Sequence, residues 1–261
     1  MSLFDAILLG LIQGITEFLP VSSSGHLVMG QMILNAEVPG IAFEVAVHVA
    51  TLVSVLTVFR KRVWELLRGA VTLDRDSWGY LGMLAMATVP AVVVGLGADD
   101  LVHSLFESPV VVGVSLLVTG TLLWTTRWAM RRNPTGKPGP ISAALIGFAQ
   151  AFAIIPGISR SGTTVAVALW LGLEAEEAAT FSFLMAIPVI LGAAVLELPG
   201  LADGAGVSVG TLLAGCVVAA VAGVLAITTF VRMLKKKSFH RFALYCWAAG
   251  GLFLFYLLMV R

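Results

Sequence analysis

The chain is short of charge. Asp, Glu, Lys and Arg make up 12% of its 261 residues, about half the share of roughly 25% in an average soluble domain, and 59% of it is hydrophobic. No stretch is polar enough to stand as a soluble domain, so residues 1–261 read as a single membrane domain. Cysteine is scarce as well. Cys216 and Cys246 lie inside apolar segments without metal-type spacing, which leaves them as small core or lipid-facing residues. A net charge of +1 and the lack of any extended basic segment argue against nucleic acid as a partner. Met1 to Asp5 carries no positive charge of the kind that opens a cleavable signal, and Gln13 and Glu17 follow before a serine run, so the N-terminus is expected to be mature.

Hydrophobic runs are plentiful. Six of them, about 41–59, 79–97, 109–128, 178–198, 207–231 and 242–260, are long enough to cross about 30 Å of hydrocarbon. Two further apolar segments, 3–34 and 141–173, are broken in the middle by Pro, Gly and Ser. Apart from Arg160 and Arg261, positive charge is confined to three connections: Arg60, Lys61, Arg62, Arg68 and Arg75; Arg127, Arg131, Arg132 and Lys137; and Arg232, Lys235, Lys236, Lys237 and Arg241. The connections around Glu37, around Asp99, Asp100 and Glu107, and around Glu197 and Asp203 hold no Lys or Arg. By the positive-inside rule the basic connections face the cytoplasm and the acidic ones the exterior. Lys235 to Lys237 is then a topology signal rather than a binding patch, and His103 and His240 are solvated loop residues. Parity makes 141–173 enter and leave on the cytoplasmic side as a re-entrant helix pair; 3–34 does the same from outside, which puts the N-terminus outside.

The broken segments resemble each other at an offset of 137 residues. Gly10 and Gln13 fall on Gly147 and Gln150, Ser22 on Ser159, Ser24 on Ser161 and Gly25 on Gly162, while Pro20 and Pro156 match after a shift of one residue. Three full spans separate the copies, and an odd number reverses direction. The expected fold is therefore an all-α polytopic membrane protein of six transmembrane helices plus two re-entrant helix pairs arranged as an inverted repeat. One copy covers about 3–128 with its re-entrant pair at 3–34, the other about 141–260 with its pair at 141–173. Transporters are built in this way, with irregular backbone tolerated where it lines a cavity.

Chemistry gathers at the two breaks. Gln13 and Glu17 are four residues apart and share a helix face; Pro20 ends that helix, and Ser22, Ser23, Ser24, Gly25 and His26 follow. In the second copy Gly157, Ser159, Arg160, Ser161, Gly162 and Thr164 surround the one cation that lies inside an apolar segment away from loops and termini. A cation at membrane depth costs a few kcal/mol on insertion scales, and it calls for a partner or a task. Each break opens a helix, whose unpaired N–H groups favour an anion, and an Arg fork matches phosphate oxygens. Glu17 is a candidate base or cation ligand, His26 a proton shuttle, and Ser23 a nucleophile, with water held by Glu17 and His26 as the competing attacker. This set suits phosphoryl transfer. Arg160 and Glu17 paired as a structural bridge is the competing reading. Glu44 points at the site or at a cation, and His48 is either a core histidine or part of the site wall.

At Gln13-Gly-Ile-Thr-Glu17-Phe-Leu-Pro20, Ser22-Ser-Ser-Gly-His26, Phe43-Glu44-Val45 and above all Pro156-Gly-Ile-Ser-Arg160-Ser-Gly-Thr-Thr164, the chain resembles the undecaprenyl pyrophosphate phosphatase family, the integral-membrane type associated with bacitracin resistance. The resemblance covers nearly the whole chain. It implies hydrolysis of a C55 polyprenyl diphosphate to the monophosphate and inorganic phosphate, assisted by Mg²⁺ or Ca²⁺, in the plasma membrane at a site open to the periplasmic or outer face. That reaction recycles the lipid carrier of cell-wall synthesis. The family's acidic motif has Glu or Gln at its first position, and Gln13 supplies no carboxylate there. Residue chemistry alone leaves a transporter or flippase for a lipid phosphate or anion as the alternative. The small-residue run from Gly210 to Gly223 could pack helices within the subunit or in a homodimer.

Overall fold

The computed structural model describes residues 1–34, 41–197 and 207–260, and every element among them is helical. The connections around Glu37 and Asp203 lie outside the described residues. In chain order the helices are α1 Leu3–Phe18, α2 Ser23–Leu34, α3 Ile41–Val58, α4 Arg60–Val71, α5 Arg75–Gly97, α6 Asp99–Phe106, α7 Pro109–Arg131, α8 Pro140–Phe152, α9 Arg160–Trp170, α10 Ala175–Glu197, α11 Val209–Lys235 and α12 Phe242–Val260.

All six long hydrophobic runs form helices over their described residues. Four of them, α5, α7, α10 and α11, are long and apolar enough to cross a membrane, as is α12 with the turn that precedes it; α3 joins them if the bent α3–α4 pair is one span. Large apolar side chains lie on the outside of the bundle, with Val93 on α5, Leu225 on α11 and Leu252 on α12 each 63–70% exposed. Thr51, Ser54, Thr119, Thr126 and Ser182 are buried instead. That distribution inverts a water-soluble protein and suits a lipid surround, where apolar side chains face outward and hydroxyls find partners inside. The chain is a multi-pass membrane protein.

Two helices arise where the sequence reading had connections. α4 turns 84° from α3 and carries Arg60, Lys61, Arg62 and Arg68 beside exposed Trp64, Leu67 and Val71. A basic amphipathic helix of this kind lies in a membrane interface rather than across it, and its charges had hidden it among the loop residues. α6 is the second.

Small residues bring the helices together. A Cβ on Gly10 or Gly14 of α1 would run into the backbone of α11 at Gly215 and Ala219, and one on Gly147 of α8 into Ala87 of α5. Such close approach is the usual way apolar helices associate where lipid removes the hydrophobic drive. The Gly210–Gly223 run is accordingly used within the subunit, since Gly215 packs on Phe43 and Gly223 on Phe18 and Ser54. Phe18, Phe183, Phe230 and Phe239 form a buried ladder of edge-to-face rings at 5.0–5.6 Å, a geometry worth roughly 1 kcal/mol per contact beyond burial. Cys246 is buried and Cys216 half-buried, both as free thiols.

Both broken segments are helix pairs. α2 returns along α1, with Gly30 beside Leu9 and Ile12. The flanks of the α8–α9 pair are hydrogen-bonded to each other: Gly136 N–H donates to Gly172 O at 2.9 Å and Glu174 N–H to Gly136 O at 2.8 Å.

Candidate functional site

Each break is built by the same hydrogen bonds. In the first, Ser22 takes φ +69°, a left-handed conformation that costs a non-glycine residue about 1 kcal/mol or more. Its Oγ accepts from Gly25 N–H at 3.3 Å and lies 3.2 Å from Ser24 Oγ. In the second, Ser159 caps α9: its Oγ accepts from Gly162 N–H at 3.1 Å and lies 3.3 Å from Ser161 Oγ. Gly157 bends the chain at φ +91° under Val112, where a Cβ would collide with the Val112 carbonyl. Thr119 of α7 clamps this loop, donating to Gly157 O at 2.9 Å and accepting from Ser159 N–H at 3.1 Å. The loops touch reciprocally, Gly25 against Gly157 and Gly162 against Pro20.

Glu17 is the hub. It sits on the last turn of α1, buried, and its Oε1 accepts from Arg160 Nη2 at 2.6 Å. Its Oε2 accepts from Ser23 Oγ at 2.7 Å and from Gln13 Nε2 at 3.0 Å, with His48 Nε2 3.7 Å away. Three segments far apart in sequence therefore meet on one carboxylate. Arg160 retains a buried Nη1 with no protein partner, and Gln13 Oε1, Gln150 Oε1 and Thr163 Oγ1 are likewise unpaired.

A cavity of about 630 Å³ opens beside this hub. Glu17, Ser22, Ser23, Ser24, Glu44, Ser159 and Arg160 all line it. Gln13, Gly25, Gly157, Ser161, Gly162 and Thr164 stand behind the wall. Gln13 braces Glu17 there, Ser161 donates to Leu19 O at 3.3 Å, and Thr164 bonds Arg160 O at 2.8 Å and Ser182 Oγ at 2.6 Å.

His26 faces away from the cavity. Its Nδ1 lies 2.8 Å from Ser22 O and its Nε2 2.7 Å from the Tyr245 hydroxyl on α12, with the two rings stacked. A carbonyl only accepts, so Nδ1 carries the proton and the tyrosine hydroxyl donates to Nε2. The histidine beside Glu17 is His48, whose Nδ1 bonds Glu44 O at 2.7 Å. Tyr245, Thr119 and Ser182 gave no local sequence signal, because each meets its partner only through folding. Gln150 was legible as the counterpart of Gln13, and it lines the cavity.

No group of three or more His, Cys, Asp or Glu converges among the described residues, and both Glu17 oxygens are already engaged.

The sequence from residue 6 to 252 matches the family described as Bacitracin resistance protein BacA. The chain belongs to this family. The match runs from α1 into α12, so both breaks and five of the six long helices of this BacA-family chain lie wholly within it, with the first half of α12. It is 41% identical to an undecaprenyl-diphosphatase of Alcanivorax borkumensis over 264 residues, covering 98% of this chain and 100% of the relative. It is 42% identical to one of Desulfosudis oleivorans over 267 residues, covering 95% and 96%. It is 40% identical to one of Carboxydothermus hydrogenoformans over 256 residues, covering 96% and 95%.

Proposed function

We propose that this chain hydrolyses undecaprenyl diphosphate to undecaprenyl phosphate and inorganic phosphate. What supports the reading is full-length similarity to proteins named undecaprenyl-diphosphatase and, above all, one contact: Ser23 Oγ donating to Glu17 Oε2 at 2.7 Å in the cavity wall. That is the spacing of a nucleophile and its base.

Arg160 binds the diphosphate through its unpaired Nη1. Phosphate oxygens then compete with Glu17 for the guanidinium and free the carboxylate. Ser23 Oγ attacks the terminal phosphorus as its proton passes to Glu17, and the bond from phosphorus to the bridging oxygen breaks. The lipid monophosphate leaves with that oxygen. Water next attacks the phosphoserine, restores the Ser23 hydroxyl and releases inorganic phosphate, with Glu17 again handling the proton. His26, engaged at both ring nitrogens, holds the backbone of Ser22 in this scheme. Ser22, Ser24 and Ser159 offer hydroxyls to phosphate oxygens, and Ile154, Val189 and Ile190 in the cavity wall suit the start of the prenyl chain. Glu17, once the diphosphate has drawn Arg160 from it, and Glu44 in the same wall are the residues that would hold a magnesium or calcium ion, which would supply charge neutralisation to the phosphate oxygens.

The two halves form an inverted repeat whose broken pairs are re-entrant. Several contacts support this. Residues related by the 137-residue offset make the same hydrogen bonds in both breaks, and the contacts between the breaks are reciprocal. The ends of the α8–α9 pair are tied together at Gly136 and Gly172, and Lys235 pairs with Glu176 at 2.9 Å, which sets the end of α11 beside the start of α10 on the basic side. Glu107 and Glu197, on the side without Lys or Arg, line the cavity, so the site opens to the outer face.

The test is phosphate release by purified chain in detergent, where no two compartments exist and transport cannot be read as turnover. Wild-type release that is abolished in Ser23→Ala and Glu17→Gln variants of unchanged folding supports the scheme. Wild-type protein without release would sink the function, and variants at the wild-type rate would sink the residue assignment.

A further inference from the structure

A second cavity, of about 210 Å³, lies at the opposite end of the bundle from the acidic mouth. Its walls are Trp124, Arg127, Met130 and Arg131 on the last turns of α7, with Lys237 and His240 from the connection between α11 and α12. Three cations and no carboxylate line it. The positive-inside rule accounts for such charges in a loop but not for a walled cavity.

The groups inside are held and incompletely paired. The Arg127 guanidinium is stacked between the rings of Trp124 and Trp128, 4.3 and 4.4 Å from their centroids, yet its Nε–H is buried without a partner. His240 packs edge-on against Trp124 at 5.8 Å, and its Nδ1 also meets no partner at hydrogen-bonding geometry. Arg127 and Arg131 are four residues apart on one helix face, where like charges repel. A buried donor without an acceptor costs about 1–3 kcal/mol, and a phosphate group would satisfy several such donors at once. Lipid-facing surface adjoins the cavity: Trp128 and, on the first turn of α12, Leu244 are exposed, and Trp rings at that level mark a membrane interface.

We propose that this cavity binds the phosphate group of a lipid in the leaflet on the basic, cytoplasmic side, at a site separate from Glu17 and Arg160. The headgroup phosphate sits among Arg127, Arg131 and Lys237, and its tails run along α7 and α12. The side assigned rests on the orientation given above; the cavity and its unpaired donors do not.

The test uses the full chain in nanodiscs of phosphatidylcholine mixed with phosphatidylglycerol, with retained lipid identified by native mass spectrometry and phosphate release measured alongside. Wild-type protein retains phosphatidylglycerol in preference. Arg127→Gln combined with Lys237→Gln lowers that preference roughly fivefold for each charge removed and leaves phosphate release unchanged, whereas Lys236→Gln, in the same basic run outside the cavity, keeps it. Arg127→Lys, which retains the charge and removes Nε, gives a smaller loss and serves if the double variant does not fold. Equal retention of both lipids, or retention unchanged in Arg127→Lys and Lys237→Gln, overturns the proposal. Inorganic phosphate that shifts the His240 ring resonances of a protein with no lipid preference overturns the lipid as ligand and leaves a free anion.

Discussion

The two broken helix pairs share a scaffold and differ in chemistry. Ser22, Ser24 and Gly25 make the same hydrogen bonds as Ser159, Ser161 and Gly162. At the same offset, however, Glu17 falls on Ile154 and Ser23 on Arg160. The first pair holds the carboxylate and the hydroxyl, and the second holds the cation. Matched loop hydrogen bonds thus carry different chemistry in the two pairs, and the positions that bear charge or the attacking hydroxyl are among those that differ. Geometry comes from what the halves share, and reactivity from what they do not.

The sharpest way to break this comparison is to erase the difference in the first half. Glu17→Gln and Ser23→Ala are each expected to slow phosphate release by roughly 10²- to 10⁴-fold, the range for losing a positioned base or nucleophile, while Ile154→Val, at the position aligned with Glu17, stays near the wild-type rate. Steady-state release in detergent checks all three. The second half is expected to fail differently. Arg160→Ala leaves the buried Glu17 carboxylate without its cation, a loss of about 3–5 kcal/mol, seen as a lower unfolding temperature. Adding Glu17→Gln recovers most of that stability and none of the activity, which separates the structural bridge from the phosphate grip.

Smaller effects probe what the halves share. Ser159→Ala and Ser22→Ala each remove a serine that accepts a backbone N–H at the start of a half-helix, and each is expected to cost about 1 kcal/mol in thermal unfolding. A much larger loss at one loop than at the other would show that the frame is not equivalent in the two halves. Tyr245→Phe removes one hydrogen bond to His26, worth about 1 kcal/mol. Phosphate release is then expected to change only a few-fold, because His26 lies outside the cavity wall.

The long spans were legible because twenty or so apolar residues in a row have few other readings. α4 was not, since its charges match a loop until the helix period lines up Trp64, Leu67 and Val71. Glu17 and Arg160 stood out because ionisable side chains are costly at membrane depth, and Ser23 because it lies in the serine run that follows Pro20. Which histidine stands beside Glu17 was not legible, because His26 is close in sequence while His48 is brought in by the packing of α3 on α1. Thr119 and Tyr245 act across 40 and 219 residues, separations that no local pattern records.

The central claim is that Ser23 takes the phosphoryl group before water does, and the stereochemistry at phosphorus tests it directly. A substrate whose terminal phosphorus is made chiral with sulfur and oxygen isotopes would be turned over and the configuration of the released thiophosphate determined. Two in-line displacements, the first by Ser23 and the second by water, give net retention, which is the result expected here. Inversion would mean a single displacement by water and would contradict the account.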